Sequence, residues 1–534
     1  MTARVGAGAV KAMLRDGGEL ALVDVREEGA HSAGHPFYAA SLPLSRLELL
    51  AGDRLPRRSV RIVLLDDGEG LAERAAAKLA EFGYGEVAIL DGGLAAWRAA
   101  GFVLFSGVHV PSKAFGEYVE HHYATPHMSA ERLKARMEAG ERLRVLDSRP
   151  LDEFRVMSIP GATDAPGAEL AYRVHDLVPE SETLVVVNCA GRTRSIIGAQ
   201  SLINAGIPNR VVALQNGTMG WHLAGFGLEH GQESRYGPIS QAGLDRARRA
   251  AAGVAKRFGV RAIERRELDR LRQEAGQRTL YLLDVRSPEE YEAGHLPGSL
   301  SAPGGQLVQE TESWVPVLGA RIVLIDDTGV RATMTAHWLV QMGWEAYVLK
   351  DALAGQALVQ GAYRAAIPAI GQVAEAGLTP QDVQPLLASG RAVVVDFGFS
   401  RDYAKGHIPG AWFAIRSRLP SSLPRLPAAE MLVFTSADGV LARLAAPEAS
   451  QLTATPVRVL TGGTAAWRAA GLPLASGLEH LADGRDDVWL RPYENTGDVE
   501  RHMRDYLTWE LDLVREIERD GDHRFRLFPV QGAG

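Results

Sequence analysis

The sequence has only one cysteine, Cys189, among its 534 residues. A single cysteine cannot form an internal disulfide, and a free thiol persists best in a reducing cytosol. No apolar run approaches the roughly 20 residues that a membrane-spanning helix needs. Residues 1–14 also lack the charged segment, apolar core and cleavage site of a signal peptide. We therefore expect a cytoplasmic protein with no membrane association.

The chain also lacks an excess of charge of either sign. Its 58 basic and 65 acidic residues give a net charge of −7, which argues against a general nucleic-acid surface. Hydrophobic residues make up 46% and charged residues 23%, as in an ordinary globular protein. A chain of 534 residues exceeds what one hydrophobic core ordinarily supports, so several domains are expected.

One unit recurs four times along the chain. Each copy begins with an apolar strand that ends in an aspartate: Asp24, Asp147, Asp284 and Asp396. A Gly-His or Pro-Gly element, a second apolar strand, a helical run and a third short strand follow. Three copies close with a glycine turn and a tryptophan, whereas the third copy has only Leu353-Ala354-Gly355 there. Short apolar strands alternating with helices are typical of a parallel sheet covered on both faces.

This repeat predicts an α/β protein made of four tandem doubly wound parallel-sheet domains with a C-terminal helical tail. The predicted domains are 1–105, 127–230, 257–355 and 375–478, and the predicted linkers are 106–126, 231–256 and 356–374. The tail is predicted to span 479–534.

Cys189 lies where the apolar strand Leu184–Asn188 meets the loop Cys189-Ala190-Gly191-Arg192-Thr193-Arg194-Ser195. A helical run follows at once. Loop N–H groups and the positive end of a helix favour an anion at the sulfur. We therefore expect the thiol to ionise more easily than its reference pKa of roughly 8.5. Gly and Arg crowd this position, rather than Leu and Val, which favours a reactive thiol over an inert buried one.

Taken together, these elements resemble the rhodanese (sulfurtransferase) superfamily. The Asp-Val-Arg strand end, the Gly-His-Ile-Pro-Gly-Ala element, the cysteine loop and the final Gly-Gly…Trp occur in this order in that family. The likeness covers nearly the whole chain, as four rhodanese-like domains. It implies a doubly wound fold and a cysteine that carries sulfur as a persulfide.

Carried over to this sequence, the family's nucleophile falls on Cys189 in the second unit. The matching positions of the other units hold Asp67, Asp327 and Ser436. Neither a carboxylate nor an unactivated serine can form a persulfide. Those three domains are therefore expected to be inactive and to act as a scaffold that helps to shape the second domain's cleft. The third keeps a Gly329-Val330-Arg331 remnant of the loop, which leaves anion binding open there.

The resemblance implies a thiosulfate sulfurtransferase that works in two steps, with cyanide or a thiol as acceptor. Loop residues 190–195 are expected to bind the anionic donor, with Arg192 facing it. For Arg194, closure of the loop at the substrate and a structural ion pair with Asp147 carry equal weight. Arg173 is a further candidate for guiding the anion, and an exposed helix cation is its alternative. Asp147 and Arg149 are expected to be structural residues near the site.

Other hypotheses stay open at this stage. The donor is alternatively 3-mercaptopyruvate or glutathione persulfide, and the chain is alternatively a non-catalytic sulfur carrier or scaffold. A phosphatase is disfavoured, since only Ala190–Thr193 separate Cys189 from Arg194, whereas related phosphatases have five residues there.

No cofactor is implied, because sulfur travels on the protein itself. The histidines at 121, 122 and 127 lack the spacing of a metal site, so no metal is expected. Tyr506 and Trp509 in the tail fit either a lid or, more simply, a docking helix. A protein sulfur acceptor and a homodimer are both left open.

Overall fold

The computed structural model describes residues 2–368, 370 and 377–530. Four α/β units follow one another, and the fold class predicted from the sequence is confirmed. Part of the predicted linker 356–374 (369 and 371–374), the first two residues of the predicted fourth domain and the last four of the tail lie outside the described residues.

Domain 1 runs from β1 to α5. Its elements are β1 (Ala3–Val5), α1 (Ala7–Met13), β2 (Leu20–Asp24), α2 (Glu28–Ala33), β3 (Ala40–Ser41), α3 (Leu47–Arg54), β4 (Ile62–Leu65), α4 (Leu71–Glu81), β5 (Val87–Leu90) and α5 (Gly93–Ala99). A helix, α6 (Val110–Tyr123), occupies most of the segment predicted as the first linker.

Domain 2 runs from β6 to α11. Its elements are β6 (His127–Met128), α7 (Ala130–Glu138), β7 (Leu143–Asp147), α8 (Leu151–Val156), β8 (Thr163–Asp164), α9 (Gly167–Leu177), β9 (Leu184–Asn188), α10 (Thr193–Asn204), β10 (Val211–Leu214) and α11 (Gly217–Leu223). The second predicted linker also contains a helix, α12 (Gln241–Phe258).

Domain 3 runs from β11 to β16. Its elements are β11 (Arg261–Ile263), α13 (Arg265–Gln273), β12 (Leu280–Asp284), α14 (Pro288–Ala293), β13 (Leu300–Ser301), α15 (Gly304–Gln309), α16 (Thr311–Trp314), β14 (Val317–Leu318), β15 (Arg321–Ile325), α17 (Val330–Gln341) and β16 (Glu345–Leu349). Residues 350–355 form turns, where the other three domains have a closing helix.

Domain 4 runs from β17 to α22, and the tail contains one long helix. The elements are β17 (Gly377–Leu378), α18 (Pro380–Ala388), β18 (Ala392–Asp396), α19 (Ser400–Lys405), β19 (Trp412–Phe413), α20 (Leu419–Ser422), β20 (Met431–Thr435), α21 (Val440–Ser450), β21 (Val457–Leu460), α22 (Gly463–Ala469) and the tail helix α23 (Val499–Asp520).

The sheet of domain 2 shows the shared topology. Its strand order is β6-β10-β9-β7-β8, and all four pairings are parallel. Successive residues of β9 point to opposite faces, as in any strand. Val185 and Val187 enter a core shared with domains 1 and 3, and Leu184 and Val186 enter domain 2's own core with Trp221. Covered on both faces, the sheet leaves its carboxyl edge as the natural place for a site.

The domains are joined by secondary structure as well as by side chains. The short strand β14 of domain 3 pairs antiparallel with β2 of domain 1, so the sheet of domain 1 ends on a strand from another domain. Helices α15 and α17 of domain 3 pack against α9 of domain 2, and α6 packs against both α10 and the tail helix α23. The second and third domains, the first linker and the tail thus form one packed assembly.

Candidate active site

The local sequence delivers Cys189 to the carboxyl edge of the central sheet. Strand β9 is apolar and β-branched, is buried along its length, and pairs with β7 and β10 on either side. It ends at Asn188, and α10 begins at Thr193. The cysteine loop (residues 189–195) therefore joins a buried strand to the positive end of a helix of 12 residues.

The turn after β10 holds the loop in place. Gly217 has φ +54, and a β-carbon there would lie 2.3 Å from the Cys189 carbonyl oxygen. The backbone N–H and the hydroxyl of Thr218 both donate to that oxygen, at 2.8 and 3.0 Å. The Met219 N–H donates to the carbonyl of Ala190 at 3.0 Å. The repeated glycine turn thus lets two backbone segments touch directly beneath the cysteine.

Burial governs the thiol itself. Cys189 is only 2% exposed, and desolvation raises the pKa of its thiol. The charge of Arg194 and hydrogen bonds from Ser195 lower this pKa in part, and the nearby Glu510 raises it further. The expectation of a thiol that ionises more easily than usual is therefore wrong in this conformation: the loop supplies the expected favourable groups, but desolvation outweighs them.

Arg192 does not face the space next to the sulfur. Its Nε and Nη2 donate to both carboxylate oxygens of Glu117 at 2.8 Å, and Nη2 also pairs with Glu120. Nη1 reaches the Asn216 side chain at 3.3 Å. Two carboxylates of α6 thus take up its guanidinium, so the predicted contact of Arg192 with the donor stays a prediction that these pairs do not favour.

Arg194 is the loop cation that acts on the sulfur. It pairs with Glu153 of α8 at 3.0 and 2.8 Å, rather than with Asp147. The alternative of an Arg194–Asp147 pair is wrong, because Asp147 binds Arg149 through two contacts of 2.9 and 2.8 Å. Asp147 also accepts from the Asn188 amide at 2.6 Å, so this fully buried pair fixes the strand end behind the loop.

The tail helix covers the loop from the other side. Glu510 of α23 is 1% exposed and accepts from the Tyr506 hydroxyl at 2.8 Å and from the Thr193 hydroxyl at 3.2 Å. A β-carbon on Gly191 would lie 3.0 Å from Glu510 Oε2 and 3.2 Å from Tyr506 Cε1. A larger residue at 191 would require the side chains of the helix to shift, and the Thr193 hydroxyl is engaged by protein rather than free for a ligand.

A cavity of about 240 Å³ opens beside the loop at the junction of all four domains. Ala190 and Arg194 of the loop line it, together with residues from α6, the other three domains and the tail. Its charged or titratable side chains are Glu28, His109, Lys113, Glu153, Arg194, Glu310, Arg401 and Arg491. We call it the central cavity. Sequence reasoning named Ala190, Arg194 and Tyr506 among its lining residues but not the other walls, because these lie far from the loop in the chain.

Arg173 lies away from this cavity. It pairs with Glu169 on the same helix at 2.5 Å, donates to the Gly237 carbonyl at 2.8 Å and stacks on Tyr236. It does not line the central cavity. Glu169 also binds Arg331 of domain 3 at 2.8 Å, so this group joins two domains. Guidance of the substrate by Arg173 stays a prediction, and its use at a domain interface does not favour it.

The equivalent loops of domains 1 and 3 are closed by their own carboxylates. In domain 3, Asp326 accepts from the N–H groups of Gly329 and Arg331 at 2.6 and 2.9 Å, and Asp327 pairs with the Arg331 side chain at 2.8 Å. In domain 1, Asp66 accepts from the N–H groups of Gly68 and Ala72, each at 3.0 Å. A carboxylate of the chain thus stands where an external anion would bind.

The expectation that Asp67 and Asp327 match Cys189 is wrong by one position, because Leu65 and Ile325 pair with the strand-end aspartates as Asn188 does. The residues that follow them, Asp66 and Asp326, take the place of Cys189, and Ser436 does so in domain 4 as expected.

Two of the three linker histidines contact groups of the protein. His122 Nε2 contacts the Phe528 carbonyl at 2.9 Å, and His127 lies 3.4 Å from Glu120. Among the described residues, no group of three or more His, Cys, Asp or Glu side chains is arranged to hold a metal ion. Within the same residues, no helix combines the length and apolar character of a membrane span.

The fold, its fourfold repetition and the cysteine at the end of β9 define a class of protein. A model of the Rhodanese-like domain family matches residues 7–100, 129–224, 265–355 and 379–470. The chain therefore belongs to the rhodanese family.

Two known proteins show how far this similarity extends. The crystal structure of a thiosulfate sulfurtransferase from Pseudomonas aeruginosa is 50% identical, covers 99% of this chain and 100% of its own, and superimposes with a TM-score of 0.94. The HTH-type transcriptional regulator Rv0324 of Mycobacterium tuberculosis is 33% identical over 105 residues, which are 20% of this chain and 45% of that regulator. The chain thus spans less than half of the regulator and all of the sulfurtransferase.

Proposed function

We propose that this protein is a sulfurtransferase that moves a sulfane sulfur from thiosulfate to a thiophilic acceptor through a persulfide on Cys189. One observation carries the proposal most directly: the cysteine loop borders a cavity that contains cationic side chains and is closed by all four domains. The full-length likeness to a protein named thiosulfate sulfurtransferase supports the choice of donor.

In the first step, the Cys189 thiolate attacks the outer sulfur of thiosulfate. A new S–S bond forms to Cys189 Sγ, and the S–S bond of thiosulfate breaks. The sulfite leaves with that electron pair, so one thiolate and one dianion become one persulfide anion and one dianion. The thiol proton is lost to solvent before the attack. Arg194 and the Ser195 hydrogen bonds stabilise negative charge at the sulfur.

In the second step, the acceptor removes the sulfur. Cyanide attacks the outer sulfur of the persulfide, the bond to Cys189 Sγ breaks, and thiocyanate leaves while the thiolate is restored. A thiol acceptor instead gives a new persulfide. The two half-reactions share one site and predict ping-pong kinetics. Asp66, Asp326 and Ser436, at the positions that match Cys189, provide no sulfur nucleophile, so we assign turnover to domain 2 alone.

A second candidate, a sulfur carrier that receives its persulfide from another protein, is favoured by one observation. Three of the four domains lack a cysteine, so most of the chain is available to bind a partner protein rather than to turn over a donor. Such a carrier would form the persulfide without turning over small donors.

A turnover assay separates these candidates. Thiosulfate, 3-mercaptopyruvate and glutathione persulfide are supplied with cyanide, and thiocyanate is measured for wild type and Cys189→Ser. We expect turnover with thiosulfate in wild type and none in Cys189→Ser. Persulfide formation without turnover would instead support the carrier, and equal activity of both proteins would exclude Cys189 as the nucleophile. A phosphate-ester substrate is expected to give no reaction.

A further inference from the structure

Lys113 is the unusual cation of the central cavity. It lies on α6, outside all four rhodanese-like domains, and is 2% exposed. Its ammonium has neither an ion-pair partner nor a hydrogen-bond acceptor within residues 2–368, 370 and 377–530. A buried charge without a partner is costly, so its presence beside a catalytic loop calls for an explanation.

Every arginine of the cavity is already paired. Arg194 binds Glu153 at 2.8 Å. Arg401 lies 3.1 Å from Glu494, and Arg491 lies 3.3 Å from the same carboxylate. Their charges are largely compensated within the protein. Among these cations of the cavity, Lys113 is therefore the one whose charge remains available to a ligand.

Aromatic rings hold Lys113 in this position. Its Nζ lies 4.8 Å from the ring centre of Trp489, 5.2 Å from Tyr506 and 4.9 Å from Trp509. Such cation–π contacts favour a charged ammonium in a dry site. None of these rings offers a conventional hydrogen-bond acceptor, so the ammonium keeps the capacity to donate to a group in the cavity.

We propose that Lys113 is a substrate-binding residue that holds the sulfonate oxygens of thiosulfate and then the departing sulfite. This inference rests on the sulfur transfer proposed above and names the group that selects a dianionic donor. As the S–S bond breaks, negative charge collects on sulfite, and a fixed ammonium in a water-poor cavity stabilises it. The tail contributes to the site by supplying the rings around Lys113.

The charged groups around Lys113 make its role dependent on pH. Glu510 of α23, Glu312 of α16 and Glu28 of α2 favour its charge, and Arg194 of α10 opposes it. Burial outweighs the carboxylates and lowers the pKa of Lys113 to about 8. Since an anion binds only to the charged ammonium, thiosulfate affinity is expected to fall as pH rises through about 8.

The first test compares steady-state kinetics of wild type, Lys113→Met, Lys113→Arg and the control Lys350→Met. Lys350 is an exposed lysine of domain 3 whose partner is Glu264. Losing a charged hydrogen bond is expected to raise the KM for thiosulfate about tenfold in Lys113→Met. Lys113→Arg and Lys350→Met are expected to stay within about threefold of wild type. An active Lys113→Met protein with an unchanged KM would overturn the inference.

The second test needs no turnover, so it separates this inference from the proposed function. Thiosulfate is titrated into Cys189→Ser and into Cys189→Ser/Lys113→Met, and binding is measured by isothermal titration calorimetry. We expect binding in the first protein and its loss in the second, whatever the turnover assay shows. Equal binding in both would count against Lys113.

The same titration remains informative if Lys113→Met fails to fold. Binding to Cys189→Ser should then weaken above pH 8, while Cys189→Ser/Lys113→Arg should bind equally well at higher pH. A pH dependence identical in the two proteins would overturn the inference.

Discussion

Burial and one cation have opposite effects on the pKa of the Cys189 thiol. Desolvation raises its pKa, and the Arg194 charge is the largest effect that opposes the rise. A thiol reacts only as the thiolate, so the raised pKa makes Cys189 slow at neutral pH and faster as pH rises. Reactive cysteines commonly have a lowered pKa. The raised pKa of Cys189 therefore describes a resting conformation in which the thiol keeps its proton at neutral pH.

We predict that the rate of Cys189 alkylation by iodoacetamide rises about tenfold per pH unit from pH 7 to 9, without a plateau near 7. Arg194→Gln should slow alkylation about tenfold at pH 8, because an adjacent cation typically lowers such a pKa by about one unit or more. Arg173→Gln is the control and should leave the rate unchanged, since Arg173 lies away from the cavity. A plateau near pH 7 would contradict the raised pKa.

For single residues, the sequence identified the candidate nucleophile but did not show which groups its neighbouring arginines pair with. Cys189 stands out because an apolar strand ends at a loop of glycine and arginine. The roles of the two arginines depend on carboxylates from distant segments: Glu117 lies 75 positions from Arg192, and Glu153 lies 41 positions from Arg194. No local pattern shows which charges such segments will neutralise.

Among the secondary-structure elements, the turn between β10 and α11 sets the shape of the cysteine loop. Gly217 adopts a left-handed conformation and lies in direct contact with the Cys189 carbonyl. Domains 1 and 4 repeat this contact, since β-carbons on Gly93 and Gly463 would lie 2.6 and 2.1 Å from the carbonyls of Asp66 and Ser436. The recurring glycine is thus explained by a close backbone approach at the strand end.

We predict that Gly217→Ala both destabilises the protein and removes sulfurtransferase activity, because its β-carbon must displace the Cys189 carbonyl. Gly206→Ala is a matched control: Gly206 has φ +69, but nothing lies within 4 Å of its β-carbon position. The control should cost only the conformational strain of about 1–2 kcal/mol and keep its activity. Thermal unfolding and turnover measure both effects. Equal losses in the two variants would show that strain alone, without contact, accounts for the glycine.

The order of strands and helices could be predicted from the repeat, since each domain alternates short apolar strands with helices. The helices α6 and α12 were not anticipated within the predicted linkers. Their charged and small residues are compatible with exposed loops, and packing against α10 and α17 decides their structure. The tail helix was anticipated, but its contact with Gly191 depends on tertiary packing.

For the whole molecule, the domains without a cysteine form the walls of the central cavity. Domain 1 supplies Glu28, domain 3 supplies Glu310 and domain 4 supplies Arg401. Domains 1 and 4 are held together by a buried pair in which Arg416 donates to both oxygens of Glu48, at 2.8 and 2.7 Å. Their assignment as scaffold domains, and the predicted domain boundaries, remain predictions, and this packing gives them a physical basis.

We predict that Arg416→Met destabilises the contact between domains 1 and 4 by about 3–5 kcal/mol, because it leaves buried Glu48 with a weaker set of partners. Arg391→Met is the control, since Arg391 and its partner Glu430 are both largely exposed. It should change stability by at most about 1 kcal/mol. Urea unfolding followed by tryptophan fluorescence measures the free energy of unfolding of both variants. Equally small changes in the two would contradict a stabilising role of Arg416 at this interface.

The most direct measurement of the central claim is the intact mass of the protein after exposure to thiosulfate, with excess donor and sulfite removed. Wild type should gain the mass of one sulfur atom, the gain should map to Cys189, and it should disappear on addition of cyanide. Cys189→Ser should gain nothing. No mass gain in folded wild type, or an equal gain in Cys189→Ser, would contradict sulfur transfer through Cys189.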